Sequence, residues 1–415
     1  MDLLVKNIGT LYTPSEGQPY GHFTEMKHVS VLCRDGLIGH IFSRDEDIPG
    51  EHHIRTVVDA GGMTLLPGFV DAHTHPVFSK TREKEFVMRL EGRSYEEIAA
   101  AGGGIRNSAR DFRSTGKEAI RQITRSRLDT FTAYGTTTIE AKSGYGLSTQ
   151  DEIKALEIIQ ELNTDTGPEM VPTFLGAHEI PDEYRDNRNG YIDLIINEMI
   201  PLVAGRKLAK YCDVFCEKGV FTVAESKRIL DAAGKNGLEA RIHADELSAF
   251  GGAELAAEIG AASADHLVMI SDKAIEAMAL RRVIPVLLPV TTFFLRKDRY
   301  APARKMIEAG CDVAVATDFN PGSSMTQNMQ LVWSVAALKL GMLPGELLWA
   351  TTLIPAKSLG ISDRVGSLQP GKQADMVLLD IPNLDYLPYH IGINHAKLTV
   401  KKGNVIYEDL NGKNI

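Results

Sequence analysis

The chain has 415 residues, which exceeds what one small core needs; an α/β barrel of up to about 250 residues with a smaller domain fits this length. Apolar residues make up 44% and charged residues 24% of the chain, which are ordinary values for a globular protein. The formal net charge of -9 argues against a surface that binds nucleic acid or an anionic membrane.

The N-terminus, MDLLVKNIGT, lacks the basic segment and long apolar run of a signal peptide. No apolar run approaches the roughly 20 residues that a membrane span needs. The cysteines are sparse, lack C-x-x-C spacing and fit buried thiols in a reducing compartment. They are Cys33, Cys212, Cys216 and Cys311. We therefore predict a cytoplasmic protein without a membrane partner.

The predicted elements change in character along the chain. Residues 1–65 contain LLVKNIGTLYT and HVSVLCRDGLIGHIFS, which alternate and turn like antiparallel strands. Residues 66–360 contain eight short runs rich in Val, Ile and Thr. The runs are LLPGFVDAHTH, GTTTIEAKSGYG, MVPTFLGAHE, YCDVFCEKG, LEARIHADE, ASADHLV, VIPVLLP and CDVAVATDFNPG. Residues 361–415 return to the alternating pattern, as in ADMVLLDI.

Helical patterns separate most of the eight runs, and one of them, VAESKRILDAAGKNG, ends at a predicted Gly237 cap. Regular alternation of strand and helix implies a parallel sheet, and eight units imply closure into a (β/α)₈ TIM-type barrel. Neither flank buries enough apolar surface alone. We therefore predict an α/β protein in which 1–65 and 361–415 form a small β domain beside the barrel of 66–360.

Titratable and polar residues recur at the ends of these strands. They are His73, His75, Lys142, Tyr145, His178, Glu217, His243, Glu246, His266 and Asp318. In such barrels the active site lies at the carboxyl ends of the strands. The sequence therefore predicts that these residues converge on one site.

His73 and His75 are two residues apart on a strand, so they share a face and can bind one transition metal. An H-x-H pair alone is also common as a structural pair. His243 at the end of run five and Asp318 at the end of run eight complete a nitrogen and oxygen ligand set, suited to Zn²⁺ or Fe²⁺. Lys142 could bridge two metals if carboxylated, but a structural ion pair is favoured.

Glu246 follows His243 by three residues and lies just past the strand end. It can reach over the metal without binding it, and we predict that it is the general acid/base. Asp245 is the rival carboxylate, with a structural role favoured. His178 and His266 could be further ligands, although contact with substrate or reaction intermediates is the preferred interpretation.

Six long motifs resemble those of a known family. They are HTHPVFSKTREKEFVMRLEGRSYEEIAAAGGGI, TTTIEAKSGYGL, FLGAHEIPDEYR, IHADELSAFGGAELA, SADHL and ATDFNPGSSM. They resemble the imidazolonepropionase family of the amidohydrolase superfamily, and the resemblance spans nearly the whole chain. Pro76 departs from the family, which more often has Leu there, and this puts no role in doubt.

The resemblance implies hydrolysis of the lactam C–N bond of 4-imidazolone-5-propanoate to N-formimidoyl-L-glutamate, a step of histidine degradation. It implies a divalent metal, Zn²⁺ or Fe²⁺, and makes a homodimer plausible. The implied metal ligands are His73, His75, His243 and Asp318. The implied substrate contacts are Arg82, Tyr95, Tyr145, His178, Glu246, His266, Asn320, Gly322 and Ser323, of which Glu246 and His266 are catalytic.

Each of these contacts has an ordinary alternative. Arg82 could pair with the propionate of the substrate or be a solvated surface charge. Tyr95 and Tyr145 could be packing residues, and NPGSS after Asp318 could be a plain loop. Two further functions stay open: a purine or pyrimidine deaminase of the same superfamily, and a non-catalytic barrel that serves as an assembly module.

Overall fold

The computed structural model describes residues 2–43, 54–93, 97, 102–163 and 167–410. Their strands form two eight-stranded sheets. The first sheet is entirely parallel, and its strands are neighbours in chain order. Its strands are β6 Phe69–Asp71, β7 Thr136–Lys142, β8 Glu169–Ala177, β9 Tyr211–Cys216, β10 Glu239–Ala244, β11 Ser263–His266, β12 Ile284–Leu287 and β13 Ala314–Val315.

The first and last of these strands meet just beyond their carboxyl ends. Thr74 and Phe319 form a parallel bridge. The N–H of His75 donates to the carbonyl of Phe319 at 2.9 Å, and the N–H of Asp318 donates to the carbonyl of His73 at 3.0 Å. The sheet therefore closes into a barrel, as predicted, and the closing hydrogen bonds join the two segments that carry three predicted metal ligands.

Helices alternate with the barrel strands and cover the outside of the barrel. The α-helices are α1 Glu83–Leu90, α2 Ile105–Ser114, α3 Lys117–Ala133, α4 Thr149–Leu162, α5 Arg188–Leu194, α6 Ile200–Gly205, α7 Val223–Lys235, α8 Gly252–Ile259, α9 Asp272–Arg281, α10 Pro289–Phe294, α11 Ala303–Glu308, α12 Met329–Leu340, α13 Pro344–Ala350, α14 Leu353–Ser358 and α15 Tyr386–Tyr389. A 3₁₀ turn spans Asp182–Tyr184, and a π-helical turn, Ile195–Met199, joins α5 to α6.

Helix α7 shows why these sequences are helical. Thr222 and Glu225 form a reciprocal capping box at its start. Ile229, Leu230 and Ala233 are buried on one face, and Gly237, just beyond the end, has φ of 84°, which glycine adopts without strain. Among the described residues, no helix has the length and apolar character needed to cross a membrane.

The second sheet contains strands from both ends of the chain. Its strands are β1 Leu3–Pro14, β2 Phe23–Arg34, β3 Leu37–Phe42, β4 Thr56–Asp59, β5 Thr64–Pro67, β14 Met376–Leu379, β15 Ala396–Lys401 and β16 Asn404–Glu408. Strand β5 pairs parallel with β1 on one side and antiparallel with β14 on the other, which joins the two termini in one sheet.

The predicted fold class is confirmed. The domain limits 1–65, 66–360 and 361–415 remain a proposal, and β5 extends to Pro67 within the terminal sheet.

The run LLPGFVDAHTH, predicted as one barrel strand, is divided in the structure. Thr64–Pro67 belongs to the terminal sheet and Phe69–Asp71 to the barrel. Gly68 lies at the division, where an added Cβ would be 2.3 Å from the Cγ2 of Thr137. Only glycine allows the chain to pass so close to β7. This close passage places Phe69–Asp71 in the barrel sheet, directly before His73 and His75.

Candidate active site

Three of the four predicted metal ligands converge at the barrel mouth. The Nε2 atoms of His73 and His75 lie 3.3 Å apart. The Oδ1 atom of Asp318 is 3.4 Å from the first and 3.5 Å from the second. The hydroxyl of Thr291 donates to the other oxygen, Oδ2, at 2.6 Å and so turns Oδ1 toward the histidines.

His243, the fourth predicted ligand, completes the group. Its ring centroid is 4.5 Å from that of His73. One nitrogen from each of His73, His243 and His266 lies within 4.8 Å of the others, as do the ligand atoms of His73, His75 and Asp318. The structure therefore brings all four predicted ligands together and places His266 within reach of the same point.

The donor set fits a divalent cation. Burial lowers the pKa of His73 and His75 well below the usual value, so both rings are neutral, which is the form that binds metals. The Nδ1 of His73 contacts a carboxylate, that of Asp265, so its Nε2 presents a lone pair to the Asp318 oxygen. Burial also raises the pKa of Asp318 to about 7, although Thr291 opposes the shift. The Nε2 lone pair of His73 and the carboxylate of Asp318, which face each other in this buried site, suit a cation between them.

Glu246 and His266 lie together at the rim of this group. The Oε2 of Glu246 is 3.7 Å from the Nδ1 of His266. Burial raises the pKa of Glu246 to about 8, and the nearby Asp318 carboxylate adds to the shift. A carboxyl group whose pKa is close to neutral can both accept and return a proton. A cavity of about 280 Å³ opens beside it, lined by Glu246, Val268, Met269, Thr291, Leu295 and Lys297.

Asp245, the rival carboxylate, has a structural role. Its Oδ1 accepts hydrogen bonds from the backbone N–H groups of Phe250, Gly251 and Gly252, and its Oδ2 accepts one from Ala253. These contacts hold the start of α8 and account for both carboxylate oxygens.

His178 and Tyr145 form one wall of the site. The Nδ1–H of His178 donates to the carbonyl of Gly144 at 2.9 Å. Its ring stacks on that of His75, with centroids 5.2 Å apart and planes 16° apart. The ring of Tyr145 lies edge-on to His178 at 5.4 Å. The wall is therefore aromatic, close to the ligands, and suited to a flat heterocycle.

Arg82 lies against the segment that follows Asp318. Its Nε donates to Glu85 at 3.0 Å. The guanidinium lies so close to Gly322 that an added Cβ there would be 2.4 Å from Nη2. The Oδ1 of Asn320 accepts the N–H groups of Gly322 and Ser323, both at 2.8 Å. Asn320 therefore shapes the turn that makes room for the arginine.

Asn320 also donates from Nδ2 to Ser323 Oγ at 2.9 Å and to the backbone carbonyl of Asp318 at 2.7 Å. Of the predicted contact residues, His178, Tyr145, Glu246 and His266 lie beside the candidate ligands, and Asn320, Gly322 and Ser323 follow Asp318 and surround Arg82. Tyr95 lies outside the described residues. The sequence interpretation overlooked Asp213 and Asp265, which contact His243 and His73. The available signal was an acidic residue inside each of two otherwise apolar strands, YCDVFC and ASADHLV.

Lys142 forms a structural ion pair, which is the interpretation that the sequence favoured. Its ammonium donates to Glu140 at 2.6 Å and to Asp213 at 2.7 Å, and all three side chains are fully buried. The lysine therefore lies in an ion-pair network beneath the metal group.

Comparison with known proteins identifies the family. The sequence model of the amidohydrolase family matches residues 87–407. The chain is 46% identical to the imidazolonepropionase of Alkaliphilus metalliredigens, with 98% of each chain covered. It is 44% identical to that of Brevibacillus brevis, with 95% of this chain and 93% of the relative covered. The chain belongs to the imidazolonepropionases of the amidohydrolase family.

Solved amidohydrolase-type structures share the fold at low identity. Guanine deaminase from E. coli superposes with a TM-score of 0.73 at 16% identity, covering 99% of both chains. An adenosine deaminase from Xanthomonas campestris with bound zinc superposes with a TM-score of 0.68 at 18% identity, covering 97% of this chain and 92% of that one. The family of this chain and its His- and Asp-rich group identify it as a hydrolase that uses a divalent metal.

Proposed function

We propose that this protein hydrolyses the lactam C–N bond of 4-imidazolone-5-propanoate to N-formimidoyl-L-glutamate, a step of histidine degradation. The observation that carries the proposal is the 42–50% identity, over most of the chain, to relatives named imidazolonepropionase. The site supports it, because the candidate metal ligands lie beside a general acid/base candidate, Glu246, and beside the aromatic rings of His178 and Tyr145.

His73, His75, His243 and Asp318 would hold the metal, and we propose one Zn²⁺ or Fe²⁺ per subunit. Imidazole and carboxylate ligands suit both ions. When bound, the ion supplies Lewis acidity toward the lactam carbonyl and lowers the pKa of a water molecule. The neutral state of the buried His73 and His75 rings supports this assignment.

In the proposed reaction a water oxygen attacks the lactam carbonyl carbon, and Glu246 accepts the proton that this water loses. His266, beside Glu246, donates a hydrogen bond to the oxyanion that forms from the carbonyl oxygen. The tetrahedral carbon then releases the ring nitrogen, to which Glu246 returns the proton. The ring opens to a formimidoyl N–H and a carboxylic acid, which loses the second proton of the water to solvent and becomes a carboxylate.

The remaining residues bind and orient the substrate. His178 and Tyr145 contact the flat ring, and Arg82 pairs with the propionate through the Nη edge that its Glu85 contact leaves free. Asn320, Gly322 and Ser323 form the turn that seats this arginine. Tyr95 is proposed as a further substrate contact.

The direct test follows the ultraviolet absorbance of imidazolonepropionate after addition of the purified protein, with the product identified by mass. We expect loss of absorbance and a product heavier by one water, abolished by a chelator and restored by Zn²⁺ or Fe²⁺. Release of ammonia from a purine or pyrimidine would instead indicate a deaminase. No turnover of either substrate by the metal-loaded protein would favour a non-catalytic assembly module.

We further propose that the protein acts in the cytoplasm as a homodimer, with a small molecule as its partner and no nucleic acid or membrane. Sedimentation of the purified protein at micromolar concentration tests the oligomeric state. A sedimentation mass of one chain would contradict the dimer without touching the proposed reaction.

A further inference from the structure

A network of five charged side chains lies directly beneath the metal group. All five are fully buried: Glu140, Lys142, Asp213, Arg241 and Asp265. Barrel interiors are usually packed with branched apolar side chains. Buried ion networks cost desolvation energy and are weak evidence for stability, because apolar replacements are often neutral or stabilising. Stability alone therefore does not explain the network.

Two members of the network contact metal ligands on the ring edge that faces away from the metal group. The Oδ2 of Asp265 is 2.6 Å from the Nδ1 of His73. The Oδ2 of Asp213 is 2.9 Å from the Nδ1 of His243, which is an ion-pair distance without hydrogen-bond alignment, and its Oδ1 accepts the backbone N–H of the same histidine at 3.2 Å. A carboxylate beside Nδ1 favours the tautomer that carries its proton there, which leaves Nε2 free to bind a metal.

Lys142 joins the two carboxylates. Its Nζ is 2.7 Å from the Oδ2 of Asp213 and 3.8 Å from the Oδ2 of Asp265. The same two oxygens face the histidines, so a single ammonium contacts both carboxylates on the side away from the metal group. Without that cation the two buried charges would repel each other, and only Arg241 would remain as a cation near Asp265 among the described residues of the network.

We propose that Asp265, Asp213 and Lys142 are positioning residues for the metal site. The two carboxylates fix the tautomer and orientation of His73 and His243, and the ammonium fixes the two carboxylates. The inference rests on the metal site of the proposed function, but not on the identity of the substrate.

The first test compares two variants that each neutralise one buried aspartate of an Asp–Lys ion pair. Asp265→Asn removes the charge beside His73. Asp375→Asn is the matched control, because Asp375 is buried 2.7 Å from Lys401 in the terminal sheet. Metal affinity is measured by competition with a chelator, coordination by the visible spectrum of the Co²⁺-loaded protein, and stability by thermal unfolding of the metal-free protein.

We expect Asp265→Asn to weaken metal binding about 10–100-fold and to alter the Co²⁺ spectrum. Asp375→Asn should lower the thermal stability while leaving metal affinity and spectrum at wild-type values. Metal affinity within twofold of wild type in Asp265→Asn, with an unchanged spectrum, would overturn the proposal and leave the network a purely structural one.

The second test uses the wild-type protein, so its result does not depend on whether a variant folds. In metal-free wild-type protein labelled with ¹⁵N-histidine, long-range ¹H–¹⁵N spectra distinguish the two imidazole tautomers. We expect His73 and His243 as Nδ1–H tautomers, and Nε2–H tautomers at both positions would overturn the proposal. Wild-type protein that binds metal but does not consume imidazolonepropionate would refute the proposed substrate and leave this inference intact.

Discussion

The contact between Gly322 and Arg82 allows the proposed substrate contact to be tested without removing the arginine. Gly322 lacks a positive φ, so alanine fits its backbone without strain. The added Cβ, however, would lie 2.4 Å from Nη2 and 2.6 Å from Cζ of Arg82, where ordinary contact begins at 3.4 Å. Gly322→Ala must therefore displace the guanidinium by about 1 Å, and the flexible side chain can yield without unfolding the protein.

The expected size of the effect follows from what the displaced group binds. A charge-assisted hydrogen bond contributes about 1.5–3 kcal/mol, and a misplacement of about 1 Å can cost about 10²-fold in rate. We expect kcat/KM for imidazolonepropionate to fall about 10–100-fold in Gly322→Ala, mainly through KM, with metal content and thermal stability unchanged. The assay is the loss of substrate absorbance in the steady state.

Two comparisons make the result specific to Arg82. Gly234→Ala, on helix α7 with open space around the added Cβ, should leave the kinetics at wild-type values. In an Arg82→Ala background, Gly322→Ala should add little, because the group it displaces is gone. If Gly322→Ala lowered kcat/KM equally with and without the arginine, the alanine would act through some other contact. The proposed binding of the substrate carboxylate by Arg82 would then lose its support.

Three further predictions concern the acid/base, the metal and the junction of the two sheets. Glu246→Gln cannot accept a proton, so kcat should fall about 10²–10⁴-fold with metal content retained, as elemental analysis would check. His73→Ala should lose most of its metal under the same analysis, and full occupancy would exclude this ligand. Burial raises the pKa of Glu169, but Arg364 and Lys401 outweigh it and bring the pKa to about 2. This contribution is complete above the unfolded value of 4.5 and is lost as the pH falls from there toward 2. Glu169→Gln should therefore lower the free energy of unfolding, measured with urea, by at most about 3 kcal/mol at pH 7 and by less at pH 4. An equal loss of unfolding free energy at the two pH values would contradict the ion-pair explanation.

The barrel and the convergence of the four candidate ligands could be predicted because each rests on a local pattern. Alternating strands and helices imply a parallel barrel, and strand ends of such a barrel face one site. The division of LLPGFVDAHTH at Gly68 could not be predicted, because the reason for it is a side chain, Thr137, almost seventy residues away. The roles of Asp213 and Asp265 could not be predicted for a related reason, because their partners, Lys142 and the histidines, come from other strands.

The backbone at the site shows a further limit of sequence patterns. Asp318 and His266 have φ of 52° and 75°, a left-handed conformation that costs non-glycine residues energy. Alternation along a regular strand would place Asp318 by counting from Ala314 and Ala316, but β13 ends at Val315. The carboxylate of Asp318 reaches the histidines for two reasons. The backbone N–H of Asp318 donates to the carbonyl of His73, and the hydroxyl of Thr291 donates to Oδ2. The place of Asp318 at the barrel mouth follows from topology, whereas its geometry depends on tertiary contacts that hold a strained backbone. Such strain is expected where a fold positions a functional group.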